Sequence, residues 1–126
     1  MAMSIPHKQN HDERLNDVKL YIREHINEPL NRKVLAAVAG FSVPHFHRIF
    51  TNHMGENITD YVRRVRLERA GRKLRMGAVD ITEVALAAGY DTHAAFSKAF
   101  KQQYGFTPSE FRDLGCYKAT QILRKG

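Results

Sequence analysis

Residues 81–101, Ile81-Thr82-Glu83-Val84-Ala85-Leu86-Ala87-Ala88-Gly89-Tyr90-Asp91-Thr92-His93-Ala94-Ala95-Phe96-Ser97-Lys98-Ala99-Phe100-Lys101, decide the fold. Apolar residues recur at helical spacing on both sides of Gly89, and the small residues before it let two helices approach closely. The glycine makes the turn, and Phe96 and Phe100, one helical turn apart, anchor the second helix. Gly105 ends that helix. Thr107-Pro108-Ser109-Glu110 then reads as a capping box with proline at the first helical position, opening one more short helix. The stretch is a helix-turn-helix.

The pattern is written twice. Leu35-Ala36-Ala37-Val38-Ala39-Gly40-Phe41-Ser42 parallels Val84 to Asp91 at a constant offset of 49. With one residue inserted, Phe46, Phe50, Gly55 and Tyr61 match Phe96, Phe100, Gly105 and Phe111 at offset 50. A single αα corner of this kind is a weak signal. Two copies flanking one basic segment are far more specific.

Working outward, helical spacing recurs and no alternating strand pattern is convincing. Leu15, Val18, Ile22 and Ile26 form one apolar stripe on a first helix that Pro29 should stop. A short helix is predicted over about 31–39, and Ser42 is a good N-cap for the next, about 43–53. Thr59 can cap a long helix to Arg75, closed by Gly77, and Asp80 or Thr82 opens a fifth. A sixth covers about 92–104. The predicted fold class is all-α: two helix-turn-helix lobes, about seven helices, joined by one long linker helix. The first lobe is placed at 12–56, the linker at 57–76 and the second lobe at 77–113, leaving 1–11 and 114–126 as tails.

Charge singles out the linker. The chain carries 20 Lys and Arg against 13 Asp and Glu, a net +7 that favours a polyanionic partner. Residues 57–76 hold seven of the basic residues and only two acidic ones. On that helix Tyr61, Val62 and Val65 occupy one arc, and Leu67, Ala70 and Leu74 a roughly opposite one. A helix apolar on two sides can pack its first half on one lobe and its second half on another. Arg63, Arg69 and Arg72 fall in or beside these arcs, so some must snorkel or pair. Asp60–Arg64 and Glu68–Arg72 have the spacing for local ion pairs.

These residues resemble the DNA-binding domain of AraC/XylS-type transcription regulators, over roughly residues 12–113. The most specific stretches are Ile81-Thr82-Glu83-Val84-Ala85 through Ala88-Gly89-Tyr90, Phe96 to Lys101, and Tyr104-Gly105-Phe106-Thr107-Pro108-Ser109-Glu110-Phe111-Arg112. The resemblance implies double-stranded DNA as partner, with two recognition helices in successive major-groove segments, and RNA polymerase as a second partner. Two tandem copies in one chain predict a monomer on a nonpalindromic site. The linker helix, at roughly 25 Å, is a plausible spacer for one turn of DNA.

In the first recognition helix Phe46, Ile49 and Phe50 belong to the core, so Val43, Pro44, His47, Arg48 and Thr51 are expected outward. Arg48 is the best base reader, because its fork matches guanine O6 and N7. His47 can donate to or accept from a base edge, and Pro44 can touch a thymine methyl. The family pattern places base contacts on Pro44, His47 and Arg48. In the second helix His93, Ala94, Ala95, Ser97, Lys98 and Lys101 are expected outward, the family positions being Ala94, Ala95 and Lys98. Two alanines offer methyl contacts but no hydrogen bonds, so this lobe should bind chiefly through phosphates.

Other functions find less support. His45 and His47 are two apart and diverge on a helix, and His7, His11, His25 and His53 have no metal-ligand companions in sequence. No phosphate loop, nucleophile elbow or paired-carboxylate pattern occurs, so neither an enzyme nor a cofactor or metal is expected. One cysteine, Cys116, and a polar N-terminus fit a reducing, cytoplasmic compartment. No apolar run approaches a bilayer span, and a membrane-surface helix would have one wide apolar face rather than two. A basic helical protein-interaction module is the alternative of a different class. Two readings of the whole stay open: a complete small regulator controlled by its abundance, or the N-terminal DNA-binding part of a longer, ligand-responsive one.

Overall fold

The computed structural model describes residues 11–77 and 80–125. His7 and all but the last residue of the 1–11 tail lie outside them. The described residues form helices α1 (His11–Glu24), α2 (Arg32–Ala39), α3 (Val43–Met54), α4 (Ile58–Arg75), α5 (Ile81–Ala87), α6 (His93–Tyr104), α7 (Pro108–Asp113) and α8 (Cys116–Lys125), with no strand among them. The chain divides into two compact units at Val62/Arg63, inside α4.

The first unit is α1, α2, α3 and the opening turn of α4. Leu15, Val18 and Ile22 are buried along α1, and Ile26 stays buried just beyond it. Pro29 is not what stops α1. The helix ends at Glu24, in a turn where His25 Nδ1 and Glu28 Oε2 are 2.8 Å apart. Asn31, rather than a residue of α2 itself, caps α2 by accepting from the Val34 N–H at 3.0 Å. Ser42 stands at the N-cap of α3 but makes no side-chain cap hydrogen bond. Pro44 at the second helical position has no N–H, which removes one of the two amides such a cap would reach. Thr59 does not cap α4 either. Asn57 does, its Oδ1 accepting from the Asp60 N–H at 2.8 Å.

The second unit is the rest of α4 with α5 to α8. Leu67, Ala70 and Leu74 of α4 join Val84, Ala85, Phe96, Phe100 and Phe111 in one core. Asp80, not Thr82, caps α5, accepting from the Glu83 N–H at 3.1 Å. Thr92 caps α6 in the same way through Ala95, at 3.0 Å. The capping box of α7 is present in full: Thr107 N–H donates to Glu110 Oε1 at 2.9 Å, and Glu110 N–H donates to Thr107 Oγ1 at 3.2 Å. Segment 114–126, read from sequence as a tail, holds α8, whose Ala119 and Leu123 are buried in this core. Arg75 Nη1 of α4 donates to Thr120 Oγ1 of α8 at 3.2 Å.

The duplication extends through the cores of both units. Phe46 and Phe50 are tilted with centroids 5.7 Å apart, and Phe96 and Phe100 at 5.6 Å. Phe50 meets Tyr61 edge-on at 5.5 Å, and Phe100 meets Phe111 edge-on at 5.1 Å. Phe41 N–H donates to Ala36 C=O at 3.0 Å, and Tyr90 N–H to Ala85 C=O at 3.0 Å. The first helix of each unit belongs to the repeat as well. Leu15, Val18 and Ile22 of α1 correspond to Leu67, Ala70 and Leu74 of α4 at offset 52, all buried. Helix α4 therefore does two jobs: its first turn closes one unit, and its remainder is the first helix of the other.

Candidate nucleic-acid interface

The inward faces of α3 and α6 fix what the outward faces present. Phe46, Ile49 and Phe50 are buried on α3, and Phe96, Phe100 and Tyr104 on α6. On α3 this leaves Pro44, His47 and Arg48 exposed, one turn apart and on one face. Val43 is half-buried at its edge. Thr51 departs from expectation: it is half-buried, and its Oγ1 is buried with no hydrogen-bond partner. Its hydroxyl is turned into the protein. On α6 His93, Ala94, Ala95, Lys98 and Lys101 are exposed, whereas Ser97 is half-buried with its Oγ 3.3 Å from His93 Nδ1.

The two faces differ in chemistry despite their common frame. On α3 the exposed trio offers a planar five-donor fork, an imidazole and an apolar ring. On α6 the equivalent positions are a methyl group, the half-buried Ser97 hydroxyl and one ammonium stem, with a second ammonium, Lys101, further along the face. Position by position, Arg48 corresponds to Lys98 and the inward-turned Thr51 to the exposed Lys101. A guanidinium favours bidentate base contacts, and an ammonium is a point charge suited to phosphate.

Helix α4, which lies between α3 and α6 in sequence, carries its arginines along a helix buried at Tyr61, Val62, Val65, Leu67, Ala70 and Leu74. Arg63 is exposed, and Arg72 pairs with Glu68 at 3.5 Å. Arg69 and Arg75 are half-buried, each with a buried Nε that has no hydrogen-bond partner, and Arg75 Nη1 is held by Thr120.

Two features escaped the sequence reading. His11, His45 and His53 are drawn together by the packing of α1 on α3, with His11 ring centroids 6.3 Å from each of the others and 5.4 Å from Phe41. His53 Nδ1 lies 2.9 Å from Asp12 Oδ1. Among the described residues no group of three or more such side chains could hold a metal ion. The second feature is a pair of arginines, Arg14 and Arg66, each lying against the turn of its own unit. Arg14 Cζ sits 4.9 Å from the Phe41 ring centroid, and Arg66 approaches Gly89. The offset of 52 that relates them was present in the sequence, hidden by the change of offset between helices.

Comparison with known proteins agrees with this geometry. Residues 35–113 match the model of a helix-turn-helix domain family. The chain is 34% identical over 103 residues to the regulatory protein SoxS of Escherichia coli, covering 82% of this chain and 96% of SoxS. It is 39% identical over 87 residues to the HTH-type transcriptional regulator GlxA of Rhizobium meliloti, covering 69% of this chain but 27% of GlxA. Among solved structures it is similar to an AraC-type transcriptional regulator from Chromobacterium violaceum, with a TM-score of 0.77, 26% identity, and coverage of 81% and 91% of the two chains. It is also similar to the DNA-binding domain of AdpA in complex with a target DNA, with a TM-score of 0.72, 28% identity, and coverage of 86% and 96%.

Proposed function

Because the chain belongs to the AraC/XylS-type family of helix-turn-helix, DNA-binding transcription regulators, we propose that it reads one duplex as a single chain, with α3 and α6 in successive major-groove segments. The observation that carries this reading is the duplication. Each unit presents an exposed helix face, Pro44, His47 and Arg48 in one and Ala94, Lys98 and Lys101 in the other, on an equivalent aromatic frame.

In this reading Arg48 recognises a guanine edge, His47 an adjacent base and Pro44 a thymine methyl, with Val43 flanking them. Lys98 and Lys101 engage phosphates. Ala94 and Ala95 allow close approach of α6 to the groove, with His93 and Ser97 at its margin. Thr51 takes no direct part, since its hydroxyl is turned inward. The activity is binding rather than catalysis, and no cofactor is assigned. RNA polymerase is the protein partner through which such binding would change transcription, and the bacterial cytoplasm is where DNA and polymerase are met. Among the described residues no helix is long and apolar enough to cross a membrane.

Titration of the full chain with duplex DNA over a range of salt tests this function. Each phosphate contact contributes about −0.9 to the slope of log K against log salt, and several contacts are expected. A slope near zero would contradict DNA binding and favour a protein-interaction module.

A further inference from the structure

We propose that Arg14 and Arg66 are positioning residues, each holding the turn that aims its unit's recognition helix at DNA. The proposal rests on the DNA-reading role argued above.

Each arginine lies beside the glycine of its unit's turn. Gly40 and Gly89 have φ of +77° and +92°, a left-handed conformation that side-chain-bearing residues rarely adopt. Arg14 Nη1 lies 3.9 Å from where a Gly40 Cβ would stand, and Arg66 Nη1 lies 3.5 Å from the same point on Gly89. Arg14 also reaches the aromatic residue that follows its glycine. The Arg14 guanidinium is over the Phe41 ring, and the charges of Arg63 and Arg66 both act on the Tyr90 hydroxyl.

Correspondence between the units separates these arginines from the general basicity of the chain. Around them, residues related by the same offset are unrelated or opposite in charge: Asp12 and Arg64, Glu13 and Val65, Asn16 and Glu68, Asp17 and Arg69. Besides the buried stripe, two arginine pairs are preserved in kind, Arg14 with Arg66 and Arg23 with Arg75; the first pair lies beside the turns, whereas Arg75 bonds Thr120 of α8. A group kept in place on two otherwise different surfaces, over the same turn, serves the turn. Both arginines are half-buried. Pro44 follows Gly40 by four residues and Ala94 follows Gly89 by five, so a small rotation of either turn swings the base-reading face.

The test uses the full chain and three duplexes: a site selected from random DNA by the parent protein, and the same site with either the α3 half or the α6 half scrambled. Arg14→Ala should lower discrimination at the α3 half about two- to fivefold, the size of an exposed cation–π contact, and leave discrimination at the α6 half unchanged. Arg66→Ala should do the converse. The salt slope should stay as in the parent, since no phosphate contact is lost, and Arg14→Lys should fail to restore discrimination. If Arg14→Ala does not fold, Phe41→Leu removes the ring beneath the guanidinium and should show the same half-site effect. Unchanged discrimination in folded variants would overturn the proposal. So would uniform weakening on all three duplexes with a salt slope shallower by about 0.9, which would make the arginine a phosphate contact. Equal binding of all three duplexes by the parent chain would overturn the DNA-reading role itself, and the proposal with it.

Discussion

A methyl group at Gly71 would stand 2.7 Å from Leu123 Cδ2, so the glycine of α4 and the leucine of α8 share one space. Real carbon atoms do not approach that closely without a shift. The glycine is what lets α8 lie on the core of the second unit, where Leu123 is buried. Leu123→Ala should destabilise the protein by about 2 kcal/mol. Gly71→Ala alone sets a helix-propensity gain of about 1 kcal/mol against displacement of Leu123. It should therefore be more favourable in a Leu123→Ala background than in the parent. Denaturant unfolding of the four proteins gives the coupling, and equal effects in both backgrounds would contradict the contact.

The α7 capping box should be visible in the acid limb of stability. The Thr107 N–H, reinforced by its hydroxyl contact, holds the Glu110 carboxyl below the usual glutamate range. A folded-state pKa below the unfolded value gives stability that is complete at neutral pH and lost as pH falls through the folded value. Thr107→Ala should cost about 1 kcal/mol at neutral pH. The gap between parent and Glu110→Ala should narrow as pH falls below the unfolded glutamate value of about 4.3 and Glu110 becomes protonated in the folded state as well. Thermal unfolding across that range measures it, and a gap independent of pH would remove Glu110 from the cap.

Arg48 and Lys98 occupy equivalent positions on α3 and α6 but should behave differently. Arg48→Ala should cost about 1–3 kcal/mol of specific affinity and relax preference at one base pair. Lys98→Ala should weaken specific and nonspecific duplexes more evenly and make the salt slope shallower by about one unit. Binding to a panel of single-base site variants separates the two. Greater discrimination by Lys98 than by Arg48 would reverse the assigned roles of the helices.

The helices and their core were legible because their markers are local. The Gly40 and Gly89 turns, the phenylalanine pairs and the Thr107–Glu110 box are each set by residues a few positions apart, and all appear in the structure. What stayed hidden depended on distant packing or on competing local groups. Helix α8 shows only Ala119 and Leu123 as a buried stripe, too short to stand out in sequence, and the apolar core it covers is assembled from α4 to α7. Thr59 looked like a cap because threonine often is one, yet Asn57, two residues earlier, reaches the Asp60 amide first. On the interface, exposure of Pro44, His47 and Arg48 followed from burial of Phe46, Ile49 and Phe50. The inward turn of the Thr51 hydroxyl did not, since a residue at the edge of a face is assigned by its rotamer and not by its spacing.

Tandem reading of DNA by one chain is tested most directly by the spacing of the half-sites. Successive major-groove segments on one side of B-DNA are about 34 Å, or roughly one helical turn, apart. The bound site should therefore be nonpalindromic, cover about two turns and hold one protein, as sedimentation of the complex would show. Inserting about half a turn, ~5 base pairs, between the halves puts them on opposite faces of the duplex. Affinity for that duplex should fall to the level of one half-site alone. Undiminished affinity after the insertion, or two proteins on the minimal site, would contradict reading by both helices of one chain.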